Sequence, residues 1–300
     1  MKHIGFIGAS GMMGHGIAKN LLAKGFAVSL TVNRNADGVA DLIAAGAKRV
    51  DSNAALGQCD AVIVCVTGSP QVEAVLSGEQ GVLSNAKAGL LVIDTSTSEP
   101  ESSQRLATLC VQKGAVFVDA PLTRTPVEAE LGKLNTMVGA TPEVFAQIKP
   151  VLQAYCENIF HVGGPGAGHI IKLLNNFISQ AVCTATAEAF AVGAKAGVDV
   201  QQLVNVVSVG AMNNGLFQAM AKTLGGDLTG LKFELDNARK DLRYYNHLAE
   251  MVNVPTIVGG AVHQSLVTAS NLGEGKNFVP SLVTAQEKLT GAKIVKRMSS

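Results

Sequence analysis

The sequence lacks a surplus of either charge. Lysine and arginine number 24 among the 300 residues and aspartate and glutamate 23, which gives a formal net charge of +1 at pH 7. The basic residues are scattered rather than clustered along the chain. Nucleic acids and anionic membranes bind to clustered cations, so the sequence predicts neither as a partner. A small molecule is the expected partner.

The sequence also lacks the residue spacing of a metal site. Its five cysteines are odd in number and lie mostly in apolar segments, and its six histidines form no ligand pattern. This usage predicts reduced, packed thiols, no bound metal and a cytoplasmic location. We expect no leader segment before the first strand, and no apolar run that is uninterrupted enough to span a bilayer.

Apolar runs of strand length alternate with helical patterns up to about residue 163. The runs read HIGFI, AVSLTV, AVIVCV, LLVID, AVFVDA, NTMVG and NIFHV. From His169 to about Val198 one long helical pattern follows, and the later segments favour helices. We therefore predict an α/β fold with a Rossmann-type doubly wound sheet over residues 1–163. An all-α domain over residues 164–300 follows it, joined by a long inter-domain helix.

A glycine cluster, GASGMMG, joins the first expected strand to the first expected helix. Its glycines are Gly8, Gly11 and Gly14, so the turn departs by one residue from the G-x-G-x-x-G pattern. In such a turn the backbone N–H groups and the helix N-terminus face a pyrophosphate, which predicts a dinucleotide site. The alternative is a simple strand-to-helix turn.

The end of the second expected strand bears on the choice between NAD and NADP. An NAD site usually carries an acid there, whereas this chain has Asn33 and Arg34. A guanidinium binds a 2′-phosphate through two hydrogen bonds, so we predict NADP(H) as the cofactor. The alternative is that Arg34 is an ordinary loop cation.

Polar side chains interrupt the long apolar helix on one face. They are Lys172, Asn175, Asn176 and Ser179, at spacings that bring them together on a helix. A lysine there can donate a proton to a carbonyl oxygen or take one from a hydroxyl, and an asparagine can hold the lysine or the substrate. Lysine acts as a base near neutral pH only where desolvation or a second cation lowers its pKa. The alternative is a lysine that reaches solvent and an asparagine that bonds a neighbouring helix.

The segment from Gly166 to Asn176 reads G-x-G-x-x-x-K-x-x-N-N, which resembles the catalytic signature of the β-hydroxyacid dehydrogenase family. That family includes 3-hydroxyisobutyrate dehydrogenases, tartronate semialdehyde reductases and succinic semialdehyde reductases. The segments GMMGHGIAKNL, VIDTSTSEP, DAPLTRTPVEAELGKLNTMVGA and FELDNARKDL are similar to further motifs of the family, so the resemblance covers essentially the whole chain. It implies reversible hydride transfer between a nicotinamide and a small 3-hydroxy acid or its semialdehyde.

The resemblance also implies residue roles. Lys172 would be the general acid/base and Asn176 its support, Ser96 or Thr97 would lie near the nicotinamide ribose, and Lys240 would approach the same cleft. The cofactor-binding residues expected from the glycine cluster and the resemblance together are Gly8, Ser10, Gly11, Met12, Met13, Asn33, Arg34, Val66, Thr67, Ser96, Thr97 and Lys240.

The chain departs from the family at Thr123-Arg124-Thr125, where common members have Ser-Gly-Gly. Arg124 suits a carboxylate, a sulfonate or a phosphate on the substrate. The TRT stretch is similar to Gly-Arg-Thr of sulfolactaldehyde reductases, whereas the following TPVEAELGKL looks like a stretch of succinic semialdehyde reductases. The alternative is that Arg124 pairs with an acid such as Glu128 or Glu130. The expected substrate-binding residues are Thr123, Arg124, Thr125, Asn175, Ser179 and Lys240.

Two other functions stay open. Imine reductases are similar in fold but usually replace the lysine, and a non-catalytic NADP-binding redox sensor would need no proton donor. Asp236 and Asp241 are expected to be helix-surface or capping residues rather than a catalytic pair. The alanine-rich helical half predicts self-association into a homodimer or homotetramer.

Overall fold

The computed structural model of the protein describes residues 1–33 and 36–296. The chain divides into two compact units, Met1–Lys172 and Leu173–Ser300. The division falls within one long helix, whereas the sequence suggested a domain boundary at residue 163. That boundary stays a prediction.

A single mixed sheet forms the centre of the first unit. Within the described residues it has nine strands, in the order β3-β2-β1-β4-β5-β6-β8-β7, with β9 paired to β8. The pairs from β3 to β6 are parallel, β8 is antiparallel to β6 and β7, and β9 is parallel to β8. The strands are β1 His3–Ile7, β2 Ala27–Thr31, β3 Lys48–Arg49, β4 Ala61–Val64, β5 Leu91–Asp94, β6 Val116–Asp119, β7 Leu122–Thr123, β8 Leu134–Gly139 and β9 Cys156–Gly163. The predicted Rossmann-type sheet is confirmed.

The apolar runs of the sequence form strands because both faces of the sheet are covered. All four residues of β4 and of β5 are buried. Ile63 and Ile93 belong to one hydrophobic cluster, and Val62 and Val92 belong to another. Successive side chains point to opposite faces of a strand, so the two clusters occupy the two faces.

Helices connect the strands of the first unit. They are α1 Met12–Ala23, α2 Ala40–Ala44, α3 Asn53–Leu56, α4 Ser69–Ser77, α5 Pro100–Gln112, α6 Pro126–Glu130 and α7 Pro142–Leu152. Helix α1 packs closely on α6, where the Asn20 side-chain amide donates to the carbonyls of Ala129 at 3.0 Å and Glu130 at 3.2 Å. This close approach depends on Gly16, because a Cβ atom there would lie 2.4 Å from the carbonyl carbon of Ala129.

The second unit is built from helices. They are the greater part of α8 Ala167–Lys195, then α9 Val200–Ser208, α10 Gly215–Ala221, α11 Leu235–Met251, α12 Ile257–Ala269 and α13 Leu282–Thr290. Their core is a cluster that includes Phe190, Met220, Leu242 and Leu266. The predicted long helix and the all-α second half are confirmed.

Helix α8 is long and rich in apolar residues, as a membrane-spanning helix would be. In the described part of the chain it is the one helix that is long and apolar enough to cross a bilayer. A core helix of a folded protein meets the same criterion, and Leu173, Cys183 and Phe190 of α8 are fully buried in the protein itself. We therefore interpret α8 as a core helix. All five cysteines are free, as the sequence predicts.

Two glycine-to-alanine variants test the packing of α1 on α6. Alanine is favoured over glycine inside a helix by about 1 kcal/mol. In Gly193→Ala the new methyl group meets only Val200 Cγ2 at 3.8 Å, so we expect slightly higher stability. In Gly16→Ala the clash with Ala129 outweighs the helix preference of alanine. We therefore expect a loss of about 1–3 kcal/mol in the free energy of unfolding. Urea unfolding of both variants measures this; equal stabilisation of the two would contradict the close packing of α1 and α6.

Candidate functional site

The three glycines between β1 and α1 each fit a close backbone approach. A Cβ atom at Gly8, whose φ is +95°, would lie 2.0 Å from the Cys65 carbonyl oxygen, and one at Gly14 would lie 2.1 Å from the Gly8 carbonyl oxygen. The Gly11 N–H donates to the Gly8 carbonyl at 3.0 Å. This bond closes the turn, which is one residue longer than the turn of the G-x-G-x-x-G pattern. Side chains at Gly8 and Gly14 would therefore push β1, β4 and α1 apart.

The N-terminus of α1 is suited to an anion. Gly11 is its N-cap, no side chain caps it, and its first turn contains no acidic residue. A Cβ atom at Gly11 would meet only the Gly8 carbonyl, at 3.2 Å, so the space on its outer side is open. The helix dipole and the backbone N–H groups favour a phosphate at such a position. The turn and the helix end thus form a cradle that fits a pyrophosphate.

A cavity of about 720 Å³ lies beside this cradle in the first unit. Its volume is typical of a ligand site. Six of the predicted cofactor-binding residues line it, namely Gly8, Ser10, Gly11, Asn33, Val66 and Thr67. The cradle and the cavity together fit a nicotinamide dinucleotide, whose phosphates Gly8–Gly11 would hold.

Other predicted cofactor residues are not in the cavity wall. Met12 is 57% exposed, and Met13 packs against the hydrophobic core. Ser96 is buried, and its Oγ accepts the Val66 N–H at 3.0 Å, so this hydroxyl holds the cavity wall in place. Thr97 is half-buried. Arg34 lies outside the described residues.

The cavity also has wall residues that the sequence did not indicate. They include Arg49, Asp51, Asn53 and Gln71. Arg49 ends β3, which pairs with β2 in parallel, and the Thr31 hydroxyl at the end of β2 donates to Asn53 Oδ1 at 2.9 Å. The sequence could have indicated these wall residues only through one feature: the chain returns beside the second strand in a parallel direction.

Cys65 is the thiol in the cavity wall. Burial raises the pKa of Cys65 to about 11. Its thiol is therefore protonated at neutral pH, and it is unsuited to act as a nucleophile.

The start of α8 is fixed by a buried carboxylate at the end of β6. Asp119 accepts the Gly166 N–H at 2.7 Å through Oδ1 and the His169 N–H at 2.9 Å through Oδ2. A Cβ atom at Gly168 would lie 2.4 Å from the Met137 carbonyl oxygen, so this glycine permits the close contact with β8. The G-x-G of the motif is thus the segment in which α8 meets the sheet.

The predicted polar residues of α8 follow this segment. Lys172 is half-buried, and Asn176, one turn later, is only 5% exposed. The Asn175 side-chain amide donates to Asn176 Oδ1 at 3.1 Å, and the Ser179 hydroxyl donates to the Asn175 carbonyl at 2.9 Å. Ser179 therefore bonds its own helix.

Asp241 connects the polar face of α8 with α11. It is 2% exposed, accepts the Asn176 side-chain amide at 2.6 Å through Oδ2, and has Lys240 Nζ 3.1 Å from Oδ1. The prediction that Asp241 is a helix-surface or capping residue is therefore wrong. Asp236, by contrast, lies in the first turn of α11, where the Ser270 hydroxyl holds the pKa of its carboxyl below the usual range.

The Thr123-Arg124-Thr125 segment joins β7 to α6. Arg124 has a φ of +80°, in the left-handed region that glycine adopts more readily than other residues. Its guanidinium donates to the Lys133 carbonyl and to Glu157 on β9. Arg124 thus has an acidic partner, as the structural alternative proposed, but that partner is Glu157 rather than Glu128 or Glu130.

Glu128 has a different task. It accepts the Thr125 N–H at 2.9 Å, and Thr125 caps α6, so the two residues form a capping box. The Thr125 hydroxyl also donates to Glu128, and these bonds hold the pKa of the Glu128 carboxyl below its usual range. Glu130 in turn pairs with His15 and Lys19 of α1.

Two family models match the chain. One is described as the NAD binding domain of 6-phosphogluconate dehydrogenase and matches residues 3–163. The other is described as the NAD-binding part of NADP-dependent 3-hydroxyisobutyrate dehydrogenase and matches residues 166–284.

Similar proteins match over nearly the full chain. The 2-(hydroxymethyl)glutarate dehydrogenase of Eubacterium barkeri is 31% identical over 294 residues, which are 97% of this chain and 97% of that enzyme. The 3-sulfolactaldehyde reductase of Escherichia coli (strain K12) is 33% identical over 92% of this chain and 93% of that enzyme. The structure of 3-hydroxyisobutyrate dehydrogenase from Salmonella typhimurium superposes with a TM-score of 0.83 at 28% identity, covering 95% of this chain and 99% of that one.

Removal of the buried carboxylate tests the link between α8 and α11. In Asp241→Ala the Asn176 amide loses its carboxylate acceptor in a buried position, so we expect a loss of about 2–4 kcal/mol in the free energy of unfolding. The matched control is Glu188→Ala, because Glu188 is an exposed acid of α8 in the same unit, and we expect a change of less than about 0.5 kcal/mol. Urea unfolding followed by circular dichroism measures both. Equal stability of the two variants would contradict the buried bond.

Proposed function

The chain belongs to the 3-hydroxyisobutyrate dehydrogenase family of β-hydroxyacid dehydrogenases, and from that premise we propose that it interconverts a small 3-hydroxy acid and its semialdehyde with NADP(H). It is accordingly an NAD(P)-dependent oxidoreductase. The observation that carries the detailed proposal is the polar face of α8, on which Lys172 and Asn176 lie one turn apart and Asp241 fixes Asn176. The bound nicotinamide would supply or accept the hydride, and the protein residues would supply position and a proton.

Lys172 is the proposed general acid and base. In reduction its ammonium group donates a proton to the carbonyl oxygen as negative charge develops there, and in oxidation its amine takes the proton from the hydroxyl. Both directions need the same placement of the Nζ atom beside the substrate oxygen. A helix that is fixed at its start by Asp119 supports such a constant placement.

Asn176 is the proposed support of the substrate oxygen. Its side-chain NH2 group carries two protons, and Asp241 accepts one of them. The second proton can then be donated to the substrate oxygen, while Asn176 Oδ1 accepts from Asn175. Lys240, beside Asp241, adds positive charge for an anionic substrate.

The acid group of the substrate is the proposed ligand of Thr123, Arg124 and Thr125. Because Arg124 donates to Glu157, a carboxylate or sulfonate must compete with that carboxylate for the guanidinium. The names of the similar enzymes include a carboxylate substrate and a sulfonate substrate, so we propose the class of small anionic aldehydes and hydroxy acids. Asn175 and Ser179 complete the proposed substrate-binding set.

NADP(H) is the proposed cofactor. Asn33 and Arg49 line the cavity near the end of β2, and Arg34 follows Asn33 in the chain. The Arg49 guanidinium in this wall would favour a 2′-phosphate, and the same wall also contains the Asp51 carboxylate. The lysine at position 172 favours carbonyl over imine reduction, and it also argues against a redox sensor without catalysis.

We also propose that the enzyme is a cytoplasmic homodimer or homotetramer. The five free thiols support a reducing compartment. Large apolar side chains are exposed on the second unit, at Ile178, Val192, Val206, Val209, Met212 and Ile257. Self-association would cover them. The sedimentation coefficient of the purified protein distinguishes these assemblies from a monomer, which would contradict this proposal.

Replacement of Lys172 tests the proposed chemistry. The substrates are succinic semialdehyde, glyoxylate, tartronate semialdehyde, methylmalonate semialdehyde and sulfolactaldehyde, and nicotinamide absorbance is followed with NADPH. We expect turnover of at least one substrate, a loss of about 10²- to 10⁴-fold in kcat for Lys172→Ala, and unchanged NADPH binding. Lys195→Ala, an exposed lysine at the end of the same helix, is the matched control. NADPH binding without turnover of any substrate would favour the sensor or imine reduction.

Replacement of Arg34 tests the cofactor preference. Arg34→Ala would remove the proposed charge-assisted bond to the 2′-phosphate, so we expect NADPH to bind about 10- to 100-fold more weakly. NADH, which lacks this phosphate, should bind with nearly the same dissociation constant as before. Lys48→Ala, an exposed cation of β3 that is not in the cavity wall, is the control, and titration calorimetry is the measurement. An equal loss for both nucleotides would contradict the proposed role of Arg34.

A further inference from the structure

His169 is a fully buried histidine in the first turn of α8, three residues before Lys172. Its Nε2 atom donates to the Ser96 carbonyl at 3.2 Å, and its Nδ1 atom lies 2.7 Å from Ser103 Oγ. A carbonyl only accepts, so Nε2 carries the proton of this bond. Because 0% of the residue is exposed, the ring does not reach a substrate, and the chemistry proposed above leaves it without a task.

The Ser96 end of this bond belongs to the wall of the dinucleotide cavity. Ser96 Oγ accepts the Val66 N–H at 3.0 Å, and Val66 lines the cavity. The Ser96 N–H in turn donates to Oδ1 of the buried Asp94 at 2.9 Å, which fixes Ser96 to the end of β5. Two hydrogen bonds therefore lead from Val66 through Ser96 to the imidazole.

The His169 end of this bond belongs to helix α8. The His169 N–H donates to Asp119, the last residue of β6, at 2.9 Å, and its ring donates to Ser96, two residues beyond the end of the neighbouring strand β5. Lys172 follows three residues later on the same helix. A shift of the imidazole would move the lysine and the cavity wall relative to each other.

We propose that His169 is a positioning residue that holds the first turn of α8, and with it Lys172, in register with the Val66 wall of the dinucleotide cavity. The inference rests on the proposed role of Lys172. It adds that occupation of the cavity is transmitted to the start of α8 through Ser96 and His169. A misplacement of about 1 Å at a reacting group costs on the order of 10²-fold in rate, so the effect belongs in kcat.

Three variants separate positioning from simple packing. His169→Leu removes both ring bonds and the contact of Nε2 with Asp94 Oδ2 at 3.7 Å. His169→Gln keeps an amide donor for the Ser96 carbonyl. Ser103→Ala removes the partner of Nδ1 together with the bond of its hydroxyl to the Glu99 carbonyl at 3.2 Å. We expect His169→Leu to lower kcat by about 10- to 100-fold with KM and the NADPH dissociation constant within about threefold of wild type. His169→Gln should recover most of the rate, and Ser103→Ala should stay within about threefold. A lower melting temperature with unchanged kcat per folded molecule would assign His169 to packing alone.

Hydrogen exchange provides a readout that needs no turnover. NADPH should slow amide exchange over residues 166–172 in the wild-type protein, and His169→Leu should lose this protection while it still binds NADPH. If His169→Leu does not fold, the wild-type protein and His169→Gln are compared instead. NADPH should slow exchange over residues 166–172 in both of them, because His169→Gln keeps a donor for the Ser96 carbonyl. Exchange that is independent of NADPH in the wild type overturns the proposal. If NADPH slows this exchange but the protein reduces no substrate, the coupling between the cavity and the start of α8 is supported and the proposed reaction is contradicted.

Discussion

The capping of α8 by the Asp119 carboxylate is the interaction on which the rest of the structure depends. A buried carboxylate is costly unless it is hydrogen-bonded, and Asp119 meets this condition by accepting two N–H groups that a helix start would otherwise leave unpaired. The positive end of the helix dipole adds to the stabilisation. The same bonds determine where the helix begins, and hence where each polar side chain of α8 lies.

The glycine turn and α8 solve two separate problems of a hydride-transfer enzyme. Gly8, Gly11 and Gly14 bring backbone N–H groups and a helix end to one place, where phosphates are favoured without any charged side chain. The polar face of α8 carries the proposed proton donor and an amide on one helix, and Asp241 accepts a hydrogen bond from that amide. The proposed cofactor binding and the proposed proton transfer therefore rest on different parts of the sequence.

The sequence predicts those features that depend on local pattern. Buried parallel strands such as β4 read as continuous apolar runs, and the long helix reads as an uninterrupted helical period. The strands β3 and β7 are only two residues long and were missed, because such strands exist through pairing and have no period of their own. Asp241 was misjudged for a related reason. A single acid on a mixed helix resembles a surface residue until the packing of α8 buries it. The partner of Arg124, Glu157, lies on a distant strand that no local signal connects to it.

The most direct test of the account is the fate of the hydride. With NADPH that carries deuterium at the transferred position, we expect one deuterium on the carbinol carbon of the hydroxy-acid product, found by mass spectrometry. We expect no deuterium on that carbon when the label is only in the solvent. This outcome requires the nicotinamide and the substrate carbonyl to meet in one site. Oxidation of the nucleotide without label in the product would contradict direct hydride transfer, and with it the central claim.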